Sequence, residues 1–456
     1  MPALPLIAHD RPDAVIAWRG GQSISARQFL HDVAALAQRL PDSMHVLNFC
    51  ADRYRFAVGL GAALVRGKCS ILPSAHAPEV IRQLRAFAPD VFCLSDDPQC
   101  PIALPQLYWA ETGDATAGAN GADFQVPVIP ATQRAGYLFT SGSSGAPVPH
   151  AKTWGKLIRC VRAEVTRLPV ADLAGCAILG TVPAQHMYGF ESTVMLPLQC
   201  GAALCAERPF FPGDIAAALQ AVPGPRVLVS TPVHLRALLA AGQTLPPLAL
   251  IVSATAMLPA GLAREVEHRY RAPLLEIYGS TETGEMASRR TALEQQWRLF
   301  PDVQLSTDAQ HCWAHGGHIE QRTALADVLE PTGHDCFLLH GRTADLVNIA
   351  GKRSSLAHLN HQLQAIPGVQ DGAYFVRDDA QASLAGVTRL GALVVAPKLD
   401  AASILQALRQ RIDPVFLPRP LLLVQHLPRN ATGKLPQHTL RALTALAAEQ
   451  QPHLFA

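Results

Sequence analysis

The sequence has little charge and almost no excess of either sign. Asp, Glu, Lys and Arg make up 16% of its 456 residues, and the formal net charge is +2 with histidine neutral. The basic residues are scattered rather than clustered, which argues against nucleic acid or another polyanion as a partner. No apolar stretch approaches the roughly 18 uninterrupted residues of a membrane-crossing helix, so we expect no membrane span.

Leader-like and disulfide patterns are lacking as well. Residues 1–10 have no basic start followed by a long apolar core, so no signal peptide is predicted. Ten cysteines in 456 residues do not form a disulfide framework, and Cys93, in Val91-Phe-Cys-Leu94, is typical in its apolar context. We expect buried thiols in a reducing compartment, and hence a cytoplasmic protein.

What the chain does have is an alternation of strand-length apolar runs with helix-length segments. This pattern predicts an α/β architecture, with a large N-terminal domain of mainly parallel, helix-covered sheets. After it come about 110 residues of mixed helix and strand, enough for a small independent α+β domain. We place the N-terminal domain at residues 1–343 and a small, mobile C-terminal domain at residues 344–456.

A small-residue loop, Thr140-Ser-Gly-Ser-Ser-Gly145, directly follows the apolar run 135–139. Its glycines, N–H groups and hydroxyls suit a phosphate, although a solvated linker has the same composition. A mononucleotide P-loop does not fit, since residues 146–153 carry alanine at both glycine places. A hydrolase elbow does not fit either, since Gly142-Ser-Ser-Gly145 is one residue short of Gly-x-Ser-x-Gly.

Three later segments complete a possible nucleotide site. Glu276-Ile-Tyr-Gly-Ser-Thr-Glu282 offers an aromatic ring for a purine, a hydroxyl for phosphate and a carboxylate for magnesium. Asp327 and Arg342 can contact ribose hydroxyls. Lys434, in a glycine-containing loop, can carry a charge into another domain's cleft. Taken singly, each segment also has an ordinary structural explanation. The first fits a strand end followed by a helix cap, Asp327 and Arg342 fit a surface ion-pair cluster, and Lys434 fits an exposed lysine.

In this order and at this spacing, the segments resemble the adenylate-forming superfamily of acyl-CoA synthetases, adenylation domains and luciferases. The resemblance extends from about Ile24 to Leu443 and includes Pro183-Ala-Gln-His-Met-Tyr-Gly189, which is similar to the acid-pocket motif. It implies an AMP-forming ligase that uses ATP and a magnesium ion. A carboxylic acid would be adenylated with release of pyrophosphate, and its acyl group would pass to a thiol of CoA or acyl carrier protein.

The resemblance also implies a role for each matching residue. The expected catalytic residues are Lys434, Thr281 and Glu282, with Glu282 also the magnesium ligand. The expected ATP and AMP contacts are Thr140, Ser141, Gly142, Ser143, Ser144, Gly145, Tyr278, Thr281, Asp327, Arg342 and Arg353. The expected acid contacts are His186, Tyr188, Gly189, Ala254, Gly279 and Ser280. Ala344 and Asp345 resemble the interdomain hinge, and Gly351 the face that meets the thiol.

The chain departs from the family pattern at three places. The lysine after the phosphate loop is displaced to Lys152, which puts its phosphate contact in doubt. Ala344 stands where charged residues are usual. Ser253-Ala-Thr-Ala256 replaces Gly-Gly-Ala, so the side chains of Ala254 and Thr255 are expected to narrow the acid pocket.

The acid itself is predicted from residues 140–155, which are similar to ligases of aryl-polyene and xanthomonadin-type pigment pathways. That similarity implies a hydroxybenzoate-like substrate; a fatty acyl-CoA or acyl-ACP synthetase is the alternative. His186 fits a satisfied core histidine equally well. Two further alternatives are a non-catalytic adenylate-binding homologue and a metal-binding protein. The second is suggested by the soft ligands His311, Cys312, His315, His318, His334, Cys336 and His340. The sequence carries no signal for an oligomeric state.

Overall fold

The structure, a computed structural model, describes most of the chain. The described residues are 2–73, 76–109, 124–141, 147–170, 172–308, 311–342, 346–349, 352–376, 389–429, 435, 439–440 and 442–443. Only the backbone is described at Ser141, Pro147, Arg342, Leu346, Asn348, Lys352, Arg353 and Ala357.

Helices and strands alternate over most of the described chain. The helices are α1 (Ala26–Arg39), α2 (Arg53–Val65), α3 (Pro78–Phe87), α4 (Trp154–Val165), α5 (Met187–Phe190), α6 (Leu196–Cys200), α7 (Pro212–Gln220), α8 (Pro232–Ala240), α9 (Ala260–Tyr270), α10 (Leu356–Gln364) and α11 (Ala401–Arg409). A π-helical turn, Glu191–Met195, joins α5 to α6, and a 3-10 turn covers Pro414–Phe416.

The strands are β1 (Ala3–Pro5), β2 (Val15–Arg19), β3 (Gln22–Ser25), β4 (His45–Asn48), β5 (Cys69–Leu72), β6 (Phe92–Ser95), β7 (Gln106–Tyr108), β8 (Val128–Pro130), β9 (Arg134–Ser141), β10 (Pro147–Thr153), β11 (Ala177–Gly180), β12 (Ala203–Cys205), β13 (Arg226–Ser230), β14 (Leu250–Ser253), β15 (Leu274–Ser280), β16 (Gly284–Arg289), β17 (Trp297–Leu299), β18 (Val303–Thr307), β19 (Cys312–Gly316), β20 (Ile319–Leu325), β21 (Asp327–Pro331), β22 (Cys336–Arg342), β23 (Leu346–Ile349), β24 (Lys352–Ser355), β25 (Asp371–Val376), β26 (Leu390–Val395) and β27 (Leu421–Leu423).

Two large sheets dominate the first 342 residues. A six-stranded sheet has the order β10-β9-β5-β4-β6-β7 and is parallel except for the β9–β10 hairpin. An eleven-stranded sheet has the order β21-β22-β17-β16-β15-β14-β13-β11-β12-β2-β3. It is parallel from β15 to β2, and antiparallel from β15 outward to β21. The predicted α/β class is confirmed, and the antiparallel half of this sheet is a feature that the sequence analysis did not identify.

Local sequence explains why the helices begin where they do and which faces they bury. Ser25 and Asp52 cap α1 and α2 by accepting hydrogen bonds from the backbone N–H groups of Gln28 and Arg55. Helix α2 is apolar on nearly all sides and is buried along almost its whole length. Its Phe56 shares one apolar core with Phe190 and Trp154, so this helix is packed from several directions at once.

Arg53, at the start of α2, ties the ends of two central strands together. It is almost fully buried, and its guanidinium donates to the carbonyl oxygens of Gly180, Val182, Cys205 and Glu207 at 2.7–3.0 Å. Buried carbonyls need such partners. The segment that follows β11 is therefore held in place where it begins the predicted acid-binding motif.

The C-terminal part has its own small sheet and core. Strands β25, β26 and β27 pair, and α10 and α11 cover them with an apolar cluster that includes Leu359 and Ile404. The Ser355 hydroxyl donates to the His340 carbonyl at 2.7 Å, and Arg236 donates to Gln364 at 3.0 Å. Residues 343–345 lie outside the described residues, so the domain boundary at 343/344 stays a prediction.

Two whole-molecule features bear on the expectations from composition. All ten cysteines are free thiols, and eight of them are buried. Among the described residues, no helix combines the length and apolar character needed to cross a bilayer.

Candidate active site

Tyr278 and Asp327, both predicted to hold the nucleoside, lie side by side. The Tyr278 hydroxyl donates to Asp327 Oδ2 at 2.8 Å. The Tyr278 ring packs against Trp297 and Phe337, with ring centroids 5.5 and 5.6 Å away. Asp327 faces Arg342 across the β21–β22 pair. The antiparallel strands thus bring together an aromatic ring, a carboxylate and the backbone position of an arginine that are far apart in sequence.

The hairpin between β15 and β16 carries the residues predicted for phosphate and magnesium. Thr281 and Glu282 lie half-buried in its turn, which is closed by a 3.1 Å contact between the hydroxyls of Ser280 and Thr283. Gly279 packs directly on the backbone of residues 284–285, and a Cβ there would overlap the Gly284 carbonyl oxygen. Glycine at position 279 is therefore required for this close approach.

His150, which the sequence analysis did not select, links the phosphate strand to this hairpin. Its Nε2 lies 2.9 Å from the Thr140 hydroxyl and 3.6 Å from Glu282 Oε1. Burial lowers the pKa of His150, and the neighbouring Glu282 carboxylate opposes this effect. Thr140, on β9, and Glu282, in the β15–β16 turn, are therefore both in contact with His150. The sequence signal for this was a polar side chain in the strand that follows the phosphate loop.

The displaced lysine is buried rather than directed to solvent. Lys152 Nζ donates to the Glu282 carbonyl at 3.2 Å, and Lys156 Nζ donates to the same oxygen at 3.3 Å. Burial, reinforced by Lys156, lowers the pKa of Lys152 to about 8, while Glu191 favours its charged form. Lys152 therefore supports the backbone that carries Glu282.

The predicted acid-holding segment lies beside the ends of β13 and β14. The Tyr188 hydroxyl donates to the Ser230 carbonyl at 3.1 Å, and a Cβ on Gly189 would overlap the Pro183 carbonyl. His186 is half-buried and its carbonyl accepts from the Phe190 N–H at 2.7 Å. The backbone of this segment is therefore closely packed at Gly189, and only glycine leaves enough space there for the Pro183 carbonyl.

The segment Ser253-Ala-Thr-Ala256, which stands where the family has Gly-Gly-Ala, begins at the last residue of β14. Ala254 is buried, and Thr255 adopts φ +77°, a left-handed conformation that costs a β-branched residue free energy. The backbone thus keeps a conformation that glycine adopts readily, although the chain carries threonine.

Three glutamates that the sequence analysis did not select are buried behind the hairpin: Glu164 on α4, Glu191 in the π-helical turn and Glu285 on β16. Ser192 donates to Glu285 Oε1 at 2.6 Å, and the Glu285 N–H donates to Glu191 Oε2 at 3.1 Å. Burial raises the pKa of all three carboxyls, Glu164 to about 8. The sequence alone gives no sign that these glutamates are buried, since a single carboxylate beside apolar residues is ordinarily taken to face water.

The decisive comparison covers most of the N-terminal part. The model of the AMP-binding enzyme family matches residues 7–308. The chain belongs to the AMP-binding enzyme family. The predicted membership of the adenylate-forming superfamily is therefore confirmed.

The relatives of this AMP-binding enzyme include several acid–CoA ligases. It is 32% identical over 277 residues to a 4-coumarate–CoA ligase of Rhodobacter capsulatus, covering 60% of this chain and 66% of the relative. It is 25% identical over 423 residues to an indoleacetate–CoA ligase of Aromatoleum aromaticum, covering 81% and 78%. The predicted enzyme class, an AMP-forming acid–thiol ligase, is confirmed in its acid–CoA form.

Solved structures show the same fold. The ATP-bound MatB of Rhodopseudomonas palustris has a TM-score of 0.78 at 18% identity, covering 95% of this chain and 96% of that one. The anthranilate CoA ligase AuaEII with anthranoyl-AMP has a TM-score of 0.79 at 14% identity, covering 98% and 99%. At these identities the likeness establishes the fold alone.

Several predicted residues lie outside the described part of this AMP-binding enzyme: Gly142, Ser143, Ser144, Gly145, Ala344, Asp345, Gly351 and Lys434. The backbones of Arg342 and Arg353 lie in β22 and β24. The roles assigned to all of these residues stay predictions.

The donor set around Glu282 suits a magnesium ion bound mainly by phosphate oxygens and water. In the described ranges, no group of three or more His, Cys, Asp or Glu side chains is placed to hold a metal. One carboxylate beside phosphates is how Mg²⁺ is commonly held in ATP sites. For the metal-binding alternative, His311 is exposed whereas His318 is 1% exposed, so these two residues of the proposed cluster do not share an environment.

Proposed function

We propose that this acid–CoA ligase activates an aryl acid as its adenylate and transfers the acyl group to the thiol of CoA or an acyl carrier protein. One observation carries the proposal. Tyr278 and Asp327 on one side, and Thr140 and Glu282 on the other, occupy the ends of strands around a single hairpin. Tyr278 and Asp327 suit a nucleoside, and Thr140 and Glu282 suit its phosphates.

The chemistry has two steps. A carboxylate oxygen of the acid attacks the α-phosphorus of ATP, the P–O bond to pyrophosphate breaks, and pyrophosphate leaves. The thiol sulfur then attacks the acyl carbon, its proton is lost, and AMP leaves with the former carboxylate oxygen. Because both reactants of the first step are anionic, stabilising charge is the main task of the protein.

Each residue has a defined part in the first step. Asp327 accepts hydrogen bonds from the ribose hydroxyls, Tyr278 lies against the adenine, and Thr281 contacts the α-phosphate. Thr140 and the loop after it hold the outer phosphates. Glu282 binds the magnesium ion, which neutralises phosphate charge when bound. Lys434 bridges the carboxylate and the phosphate.

The second step needs a different arrangement of the small domain. Residues 344–456 rotate about Ala344 and Asp345, so that Lys434 leaves and the face near Gly351 meets the thiol. Arg353 has one of two proposed roles: it stabilises phosphate, or it supports this second conformation. The family resemblance supports this part of the proposal.

A hydroxybenzoate-like acid is the proposed substrate. The relatives include ligases named for 4-coumarate, indoleacetate and 4-chlorobenzoate, all of which are acids that carry an aromatic ring. The buried Ala254 and the left-handed Thr255 take the place of two glycines, and Tyr188 adds an aromatic wall. These features favour a flat ring over a long alkyl chain. The similarity of residues 140–155 to pigment-pathway ligases supports a proposed role in pigment biosynthesis. The free, mostly buried thiols support a proposed location in the cytoplasm.

Pyrophosphate release with ATP and magnesium tests the proposal. The panel is benzoate, the hydroxybenzoates, cinnamates, and short and long fatty acids. Turnover selective for hydroxybenzoates, and lost in Asp327→Ala, is the expected result. Selectivity for a fatty acid contradicts the aryl assignment and keeps the ligase class. Silence on every acid, with ATP still bound, favours the non-catalytic alternative.

A further inference from the structure

Arg236, on α8 of the N-terminal part, reaches across to the C-terminal part of the chain. Its guanidinium donates a hydrogen bond to Oε1 of Gln364, the last residue of α10, over 3.0 Å. The Gln364 amide in turn donates to the Gly372 carbonyl on β25 at 2.9 Å. One glutamine side chain therefore links α8 to the C-terminal sheet, next to Asp371, the residue before Gly372.

An ion pair at this place fixes the start of residues 430–434, here called the lysine segment because it ends in Lys434. Two nitrogens of Arg429 donate to the two carboxylate oxygens of Asp371, each over 2.7 Å, and both side chains are less than one-fifth exposed. Two-pronged pairs of this kind fix geometry as well as charge. Leu435, directly after the segment, packs against an apolar cluster of the same sheet. The residues on both sides of the lysine segment are therefore anchored to one sheet.

The charges favour contact between Arg236 and this ion pair. Arg236 is partly buried, and burial lowers the pKa of its guanidinium. The Asp371 carboxylate opposes that effect, and it acts more strongly than the nearby Arg429 guanidinium, which adds to it. One carboxylate therefore interacts with two arginines, one from each part of the chain.

The link lies close to the segment predicted to hold the acid. Helix α8 begins two residues after Ser230, whose carbonyl accepts the hydrogen bond from Tyr188. Arg236 is four residues into the helix, which is about 6 Å along its axis. The start of the lysine segment therefore lies on the side of the N-terminal part where acid contacts are predicted.

We propose that Arg236 is a positioning residue for adenylation: through Gln364 and Asp371 it holds the small domain in the orientation that directs the lysine segment toward the acid. This inference rests on the proposed function, in which Lys434 serves the first step and leaves before the second. Rotation of the small domain separates α10 from α8 and breaks the link. The link therefore stabilises one of the two conformations and not the other.

The size of the effect follows from a two-state equilibrium. When the domain moves faster than the chemistry, the rate of each half-reaction is proportional to the population of its own conformation. The ratio of the adenylation rate to the thioester-formation rate therefore changes by the same factor as the conformational equilibrium. Because a hydrogen bond to a charged group shifts an equilibrium by about tenfold or more, loss of the Arg236 link should lower this ratio about tenfold.

The experiment measures the two half-reactions separately in the full chain. Adenylation is followed as pyrophosphate release in a single turnover with ATP, magnesium and no CoA. Its acid is the one of the panel above that reacts fastest, so the result does not depend on the aryl assignment. Thioester formation is followed as the conversion of the synthetic adenylate of that acid by CoA.

Four variants and a matched control are compared with the wild type. The variants are Arg236→Met, Arg236→Lys, Gln364→Met and the double variant Arg236→Met/Gln364→Met. The control is Arg167→Met, because Arg167 is also a partly buried arginine and donates to the Leu299 carbonyl at 2.6 Å within the N-terminal part. A loss of stability alone lowers both rates together and leaves their ratio unchanged.

We expect Arg236→Met and Gln364→Met each to lower the ratio about tenfold, through slower adenylation and with thioester formation unchanged or faster. The double variant should show no further loss, because the two side chains act through one hydrogen bond. Arg236→Lys keeps the charge without the planar fork of donors and should retain part of the ratio. Arg167→Met should keep the wild-type ratio.

The outcomes separate this inference from the proposed function. A wild-type ratio in Arg236→Met, or a double variant whose loss is the product of the two single losses, overturns the inference and leaves the ligase intact. Absence of both half-reactions in the wild type with every acid overturns the proposed function and the inference with it. If Arg236→Met fails to fold, the ratios of Arg236→Lys and Gln364→Met decide.

Discussion

The hydroxyl of Tyr278 donates a hydrogen bond to Oδ2 of Asp327 over 2.8 Å, across 49 residues of sequence. The bond holds the carboxylate beside an aromatic cluster of Tyr278, Trp297 and Phe337. A nucleoside placed there can meet an aromatic ring and, at the same time, a carboxylate able to accept hydrogen bonds from ribose hydroxyls. Pre-organisation of this kind lowers the entropy cost of binding ATP.

Tyr278→Phe removes this hydrogen bond and keeps the ring. A hydrogen bond to a charged group contributes about 1.5–3 kcal/mol, so we expect KM for ATP to rise about tenfold with little change in kcat. Both constants are measured from the steady-state rate of pyrophosphate release as a function of ATP concentration. Tyr108→Phe, at an exposed tyrosine of β7, is the control. An unchanged KM would show that Asp327 does not depend on this partner.

Lys152→Met removes one of two lysines that hold the Glu282 carbonyl. Loss of a partner that orients a metal ligand typically weakens metal affinity by 10-fold or more, so we expect half-maximal activity at about tenfold higher magnesium. A magnesium titration of activity gives the answer. Lys68→Met is the matched control, because Lys68 is also buried and donates to a carbonyl, that of Ser43, at 2.7 Å. A shift of equal size in both variants argues against a specific role for Lys152.

Lys434→Ala tests the assignment of the catalytic lysine. Loss of one charge contact to the transition state costs about 10²–10³-fold in rate, so adenylation should fall by that factor. Thioester formation from preformed adenylate should be spared, since the proposed rotation of the small domain takes Lys434 away from the acyl group. Lys398→Ala, at an exposed lysine of the same domain, should match the wild type. Pyrophosphate release that is equal in both variants removes Lys434 from the mechanism.

Glu164→Gln tests the buried carboxyls through the pH dependence of stability. Burial raises the pKa of folded Glu164 from 4.5 to about 8, so the folded state keeps a proton that the unfolded chain loses. Its contribution is fully present below pH 4.5 and is lost as the pH rises to about 8, by at most about 1.4 kcal/mol per pH unit. Glu164→Gln should therefore flatten the decline in unfolding free energy over this range.

Urea unfolding at pH 5, 6.5 and 8 measures this effect. Glu265→Gln, at an exposed glutamate of α9, should keep the wild-type slope. An identical slope in the wild type and Glu164→Gln would mean that Glu164 is ionised in the folded protein.

The sequence was sufficient for the elements that follow a simple period. Apolar runs such as 45–49 and 226–230 became the buried parallel strands β4 and β13, because strands covered on both faces are continuously apolar. Strands β16 and β17 have no such run, and β22 was not assigned as a strand from its sequence, so the antiparallel half of the large sheet was not predicted. Its position decides the site, since it brings Asp327 next to Tyr278.

The predicted site residues came from local motifs, and the residues that were missed act over long sequence distances. His150 contacts Glu282 across the two sheets, and Ser192 contacts Glu285 across 93 residues. Glu164 lies on a helix whose other inward residues are apolar, where a carboxylate would ordinarily face water. No periodicity within one segment shows that such a group is buried; packing between segments decides it.

The central claim is the attack of a carboxylate oxygen on the α-phosphorus of ATP, and isotope transfer tests it most directly. The wild-type enzyme would be incubated with ATP, magnesium, CoA and 4-hydroxybenzoate labelled with ¹⁸O in both carboxylate oxygens, and the nucleotide analysed by mass spectrometry. The account predicts one ¹⁸O atom in each AMP formed, together with the CoA thioester. Unlabelled AMP, or ADP with the label in inorganic phosphate, would contradict it.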